Sequence, residues 1–131
     1  LGQVPYKIFY PVHPRTKSKI HEFGVILPSN IVCIDPLGFF DFVHLEKHAT
    51  LALTDSGTVQ EECCIFGVPT ITIRDTTERP ETVACVSNVV TGINIESIIF
   101  AIQHINPCQD WNLPIGYDVP NVSDIVIKHL V

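Results

Sequence analysis

The chain contains no Met, a single Trp, and only eight Lys and Arg against fourteen Asp and Glu. A net charge of −6 leaves no basic stripe to neutralise a phosphate backbone, which argues against nucleic acid as a partner. A small phosphorylated ligand stays open, because backbone N–H groups at a helix N-terminus bind an anion without help from net charge. Long apolar runs are also missing. None approaches the roughly 18 residues needed to cross a bilayer, and the start lacks the basic-then-apolar layout of a signal peptide. A soluble, cytoplasmic protein with no membrane partner is expected. The five cysteines, at positions 33, 63, 64, 85 and 108, are odd in number and include no C-x-x-C pair. Neither a disulfide framework nor a tetrahedral zinc site is indicated, and reduced, mostly buried thiols are expected. With no Met and with Leu1 directly ahead of an apolar run, the chain reads as an internal piece of a longer polypeptide; removal of a leader is the alternative.

What is present suits one globular domain over residues 1–131. The sequence is 46% hydrophobic and 17% charged, on the folded side of the composition boundary, and its length suffices for one core. The apolar run of residues 6–10 ends at Pro11 and Pro14 and reads as a strand leaving into a loop. A short helix follows over residues 15–23 with a glycine stop at Gly24. Ile31 to Ile34 form a strand closed by Asp35-Pro36-Leu37-Gly38. Helical spacing of Phe39, Phe42, Val43 and Leu45 predicts a helix from Phe39 to Ala49, and Leu51 to Leu53 a buried strand. Gly57 to Phe66 is a helix with Val59, Cys63 and Phe66 along one face, stopped by Gly67. Strands at residues 70–73 and 88–91, helices near 95–105 and 122–130, and a proline-bearing loop at 106–120 complete the chain. That loop is read either as a linker or as the approach to a docked C-terminal helix. Short strands alternating with helices predict an α/β fold, a Rossmann-like parallel sheet with helices on both faces.

The chemistry concentrates at Thr54-Asp55-Ser56-Gly57, where a strand turns into a helix. Open α/β sheets bind ligands at this corner, outside the carboxyl ends of their strands. Gly57 permits close backbone approach, Ser56 offers a hydroxyl, and the free N–H groups and dipole of the first helical turn favour an anion. The plainer reading makes Asp55 or Ser56 an N-cap and Gly57 a tight turn. Glu62 lies one turn beyond Thr58 on the same side, about 6 Å further along the axis, where a carboxylate can take two neighbouring hydroxyls. Phosphate at the helix end with hydroxyls one turn along matches a nucleoside diphosphate, whereas a solvated helix face is the plain account of Glu61 and Glu62. Arg74 to Glu81 holds five charged residues of eight directly after a strand. Arg79 can reach a phosphate from there as a forked donor, although a surface ion-pair cluster is what charge pattern alone favours. His13 and Arg15, at the end of the first strand, are a weaker candidate, His13 before Pro14 being an ordinary loop residue. His44 and His48 are four apart on a helix without a third ligand, so no metal is expected. No cofactor is expected either.

The motifs His13-Pro14-Arg15-Thr16, Asp41-Phe42, Thr54 to Gly57, Gln60-Glu61-Glu62, Gly67-Val68-Pro69 and Arg74 to Glu81, taken in order, resemble the C-terminal domain of the non-hydrolysing UDP-N-acetylglucosamine 2-epimerases over nearly the whole chain. The resemblance implies a two-domain fold of the glycosyltransferase-B type, in which this chain is part of the C-terminal, UDP-binding half and the N-terminal domain is absent. It implies that Ser56 and Gly57 hold the diphosphate, Glu62 the ribose, Arg79 the diphosphate edge and Phe42 the uracil, with His13, Arg15, Glu61 and Glu78 in support. The implied reaction inverts C2 of a UDP-sugar by anti elimination of UDP and re-addition on the other face, in a protein that works as a homodimer.

Two departures from the common pattern stand out. Gly57-Thr58 replaces the usual Gly-Gly, and with Cys63 to Gly67 and Tyr117 to Ser123 this looks more like the branch making UDP-N-acetyl-L-fucosamine for surface polysaccharides. A deoxy-sugar nucleotide such as UDP-N-acetyl-6-deoxy-talosamine would then be the substrate. The absent domain also supplies most of the carboxylates that move protons, so no general base is named and the chain alone is not expected to epimerise. A free-standing nucleotide-binding module and a glycosyltransferase of the same fold are the competing readings.

Overall fold

The structure is a computed structural model that describes residues 1–2 and 4–130. Five short strands alternate with helices from the start: β1 (Ile8–Pro11), α1 (Pro14–Glu22), β2 (Ile31–Ile34), α2 (Phe39–Lys47), β3 (Ala52–Thr54), α3 (Gly57–Phe66), β4 (Thr70–Thr72), α4 (Pro80–Ala84), β5 (Asn88–Val90), α5 (Ile95–His104) and α6 (Val122–Leu130). All pairing is parallel, in two pieces, β1-β2 and β3-β4-β5. Val4, Ile71, Ala101 and Ile102 form one core cluster, against which Ile8 of β1 and Leu53 of β3 both pack, so the two pieces share a core. The expected α/β architecture holds, with short helical crossovers between parallel strands as parallel pairing requires.

Burial explains which strands are central. β4 is buried at all three positions and is flanked on both sides by parallel partners. β1 is less covered than a doubly buried strand, with Phe9 and Tyr10 exposed. The strand expected from residue 6 starts at Ile8, where its amide bonds to the Asn30 carbonyl.

Helix α3 occupies the expected bounds because its ends are defined chemically. Ser56 sits at the N-cap in extended backbone. Gly67 closes the helix in the left-handed region at φ +75°, and the Val68 amide bonds back to the Cys63 carbonyl at 2.9 Å, a turn that favours glycine. Its inner face, Val59 and Cys63, packs with Val68 and with half-buried Phe42 of α2.

Four expectations are corrected. The stretch Arg74 to Glu81 does not stay a loop: α4 begins at Pro80, whose missing N–H costs nothing at the first helical position, with Glu81 in its first turn. The loop 106–120 is no free linker, since Trp111 Nε1 donates to the Cys64 carbonyl at 3.0 Å and Tyr117 Oη to Glu81 Oε1 at 2.8 Å. Helix α6 forms as expected but docks on nothing described, leaving Val122, Ile125, Val126, Ile127 and Leu130 exposed. The thiols are all free, and Cys33 and Cys108 are exposed rather than buried, because they lie on β2 and in a surface loop away from both clusters.

Candidate functional site

The site is built at the carboxyl ends of β3 and β4. Their register pairs Thr54 with Thr72, so the residues that follow, Asp55-Ser56 and Ile73 to Arg79, emerge at one edge of the sheet. The Ser56 amide is turned inward by a 3.0 Å hydrogen bond to Thr54 Oγ1. Ser56 holds the N-cap position without capping: its side chain makes no bond to the helix amides, and its hydroxyl lies 3.0 Å from that of Thr58. The plain reading of Ser56 as a capping residue is thereby not met, and among the described residues no side chain caps the N-terminus of α3. The first-turn N–H groups keep their capacity for an anion.

Arg79 is delivered to this helix end. A Cβ placed on Gly57 would stand 3.8 Å from Arg79 Cζ and 3.8 Å from Nη2, so the guanidinium lies over the glycine. Arg79 Nε is 2.6 Å from Glu61 Oε1, a charge contact closer than it is aligned, and the carboxylate holds the guanidinium pKa above its ordinary value. Nη1 donates to the Glu78 carbonyl at 3.1 Å. The Glu78 side chain serves elsewhere, as the fork partner of Arg74 at 2.9 and 3.0 Å. Its pKa is lowered first by a backbone N–H and then by Arg74.

A buried polar network holds the loop in place, and sequence reasoning missed it. Gln60, fully buried on α3, donates through Nε2 to the Ser56 carbonyl at 3.1 Å. Its Oε1 accepts from Thr77 Oγ1 at 2.5 Å and Asn88 Nδ2 at 3.0 Å. Asn88 bonds on to Thr82 Oγ1 at 3.1 Å and accepts from Thr72 Oγ1 at 2.8 Å. Thr77 Oγ1 receives the Arg79 amide at 3.0 Å, and Thr82 Oγ1 donates to the Arg79 carbonyl at 2.7 Å. The backbone of Arg79 is thus fixed at both its N–H and its C=O. Polar residues opening short apolar strands, such as Asn88, and the Gln of the Gln-Glu-Glu triplet were the available signals.

The other expected residues divide. Glu62 is half-buried one turn into α3, near the α2 side. Phe42 packs its ring against the Val59 and Cys63 face, so it is partly a core residue as well as a candidate base neighbour. His13 and Arg15 stand apart: His13 Nδ1 accepts the Arg15 amide at 3.3 Å and caps α1, and among the described residues neither has an ion pair or hydrogen bond to the α3 corner. Another acid enters unannounced. Glu46 of α2 is 5% exposed, neither of its oxygens has a hydrogen-bond donor, and burial first, then Glu62, raises its pKa from 4.5 to about 7. Cys63, beside it, is pushed up to about 12, chiefly by burial, which rules it out as a nucleophile. Among the described residues no group of three or more His, Cys, Asp or Glu gathers as a metal site, and no helix is long and apolar enough to cross a membrane.

A parallel α/β domain thus carries at one sheet edge an uncapped helix N-terminus, an arginine over its first glycine and a carboxylate one turn further. The family model for UDP-N-acetylglucosamine 2-epimerase matches residues 2–115, and the chain belongs to that family of isomerases. The chain is 48% identical over 114 residues to the UDP-N-acetylglucosamine 2-epimerase of Methanocaldococcus jannaschii, covering 83% of this chain and 31% of that protein. It is 40% identical over 92 residues to a UDP-2,3-diacetamido-2,3-dideoxy-D-glucuronate 2-epimerase of Pseudomonas aeruginosa, covering 70% and 25%. The solved M. jannaschii enzyme in complex with UDP-GlcNAc and UDP superposes with a TM-score of 0.83 at 40% identity, covering 94% of this chain and 35% of that one. The chain therefore spans about a third of the length of the M. jannaschii relative it matches. The Rossmann-like fold, as one half of a glycosyltransferase-B-type architecture, is that of these neighbours.

Proposed function

We infer that the chain forms the C-terminal, nucleotide-holding part of a UDP-sugar 2-epimerase. The observation that carries this is the meeting of the uncapped α3 N-terminus with the Arg79 guanidinium over Gly57. The helix amides, the Ser56 hydroxyl and Arg79 take the diphosphate. Glu62 accepts the ribose hydroxyls, and Phe42 lies against the uracil. Glu61 holds Arg79 in reserve as its counter-ion until phosphate oxygens replace it. Glu78 supports the site from outside through the Arg74 fork, while His13 and Arg15, at the start of α1, take no part in this corner.

These groups serve the departing UDP. Donors fixed in advance stabilise negative charge as the C1–O bond to the diphosphate breaks, and hold UDP for re-addition once the proton at C2 has been returned on the other face. No residue of this corner is assigned as the base that removes that proton. UDP-N-acetylglucosamine is the substrate best supported, being bound in a neighbour at 40% identity. The fucosamine branch rests on Gly57-Thr58, Cys63 to Gly67 and the Tyr117 to Ser123 stretch. A cytoplasmic homodimer supplying surface-polysaccharide precursors is the setting that fits a nucleotide-sugar isomerase.

Incubation of the polypeptide carrying this corner with UDP-N-acetylglucosamine in deuterium oxide tests the reaction. Deuterium at C2 with both epimers present is the expected result. Sugar transfer without exchange at C2 would make it a glycosyltransferase, and tight UDP binding with neither would make it a binding module.

A further inference from the structure

Helix α2 presents Phe42 and, one turn on, Glu46 to α3. A carboxylate at Glu46 is anomalous. It is 5% exposed, and among the described residues no Lys, Arg or His forms an ion pair with it. Buried charges are normally paired and buried acceptors normally find donors, yet both oxygens of Glu46 have none.

The titratable groups that face it both come from α3: the Glu62 carboxyl and the Cys63 thiol. Two ionised carboxylates cannot bond to each other, since each only accepts. One proton between them supplies the missing donor and removes the repulsion. Glu46, the more buried of the two, is where that proton costs least. Cys63 stays neutral and does not compete for it.

We propose that Glu46 is a positioning residue for Glu62: protonated and buried, it donates to one Glu62 oxygen, orients that carboxylate toward the ribose hydroxyls, and weakens the site's hold on the nucleotide when its proton is lost. The inference rests on the reading of Glu62 as the ribose ligand. Loss of the proton sets two anions face to face, turns Glu62 from its pose and adds negative charge beside the diphosphate.

The test is the dissociation constant of UDP-N-acetylglucosamine measured calorimetrically between pH 5.5 and 8.5. The sugar nucleotide is the probe because its diphosphate is esterified at both ends and lacks the terminal phosphate ionisation near pH 6 that would confound UDP itself. The unsubstituted chain is expected to bind about five- to tenfold more weakly at the alkaline end. Glu46→Gln, whose amide still donates to Glu62, should hold the low-pH affinity across the range, and Glu46→Leu should bind weakly at every pH. A flat profile in the unsubstituted chain, or an unchanged slope in Glu46→Gln, overturns the proposal. A carbon-13 NMR titration of the Glu46 carboxyl without ligand separates the two ideas. Ionisation at the ordinary glutamate pH sinks the inference whatever the chain binds. Absence of sugar-nucleotide binding at every pH, with the elevated titration intact, refutes the UDP reading and the ribose-orienting role with it.

Discussion

Replacing Gln60 with Met is the sharpest structural test of how the site is held. The side chain is fully buried and makes three hydrogen bonds, to the Ser56 carbonyl and from Thr77 and Asn88. Met fills a similar volume but leaves those partners behind. Asn88 keeps a second acceptor in Thr82, so its loss is partial, whereas the Thr77 hydroxyl and Ser56 carbonyl lose more. At about 1 kcal/mol net per bond, with up to about 1–3 kcal/mol for a group left buried and unpaired, the expected loss is about 2–4 kcal/mol. In urea unfolding this moves the midpoint down by about 1–2 M at an m-value near 2 kcal/mol/M. Thr77 also receives the Arg79 amide, so the loop loosens and UDP affinity falls by more than about tenfold. Thr77→Val, removing the two bonds its hydroxyl makes with Gln60 and the Arg79 amide, should cost about 2 kcal/mol. A midpoint unchanged in Gln60→Met would refute the claim that this network positions Arg79.

Further outcomes follow from the same geometry. Glu46 has its folded pKa raised from 4.5 to about 7, so its contribution to stability is full below pH 4.5 and is lost as pH rises through 7. The effect is readable as a pH-dependent melting temperature that flattens in Glu46→Gln. Val86, β-branched, lies at φ 63° and is 55% exposed, so Val86→Gly should raise stability by about 1 kcal/mol in the same unfolding assay. Arg74→Ala breaks only a solvent-exposed pair with Glu78 and should change stability by less than about 0.5 kcal/mol. Arg79→Ala should cut UDP affinity at least about tenfold by isothermal titration while leaving unfolding little changed.

Much of the fold was legible because local signals agreed. Helix α3 had an N-cap residue, apolar positions at spacings of four and three, and a terminal glycine, and it forms over the residues those signals mark. The strands were short, β-branched and bounded by breakers, so their existence was readable while β1 started two residues later than expected. Helix α4 escaped because five charged residues in eight masked a proline at a helix start. In the candidate site, the strand-to-helix corner at Thr54 to Gly57 was legible from residue type and position, whereas charge pattern alone read Arg79 as part of a surface ion-pair cluster and only the family resemblance brought it to the corner. The network around Gln60 was not, because four polar residues from α3, the loop, α4 and β5 meet only after folding. Glu46 escaped for the same reason: on its own helix it is one charge among several, and only packing against α3 turns it inward.

The central claim is that α3 and its flanking loop form a UDP site. Calorimetric titration of UDP against the chain and against Ser56→Ala and Glu62→Ala tests it most directly. Each substitution is expected to weaken binding by about tenfold or more, one through the diphosphate and the other through the ribose. Affinity unchanged in both variants would contradict the assignment.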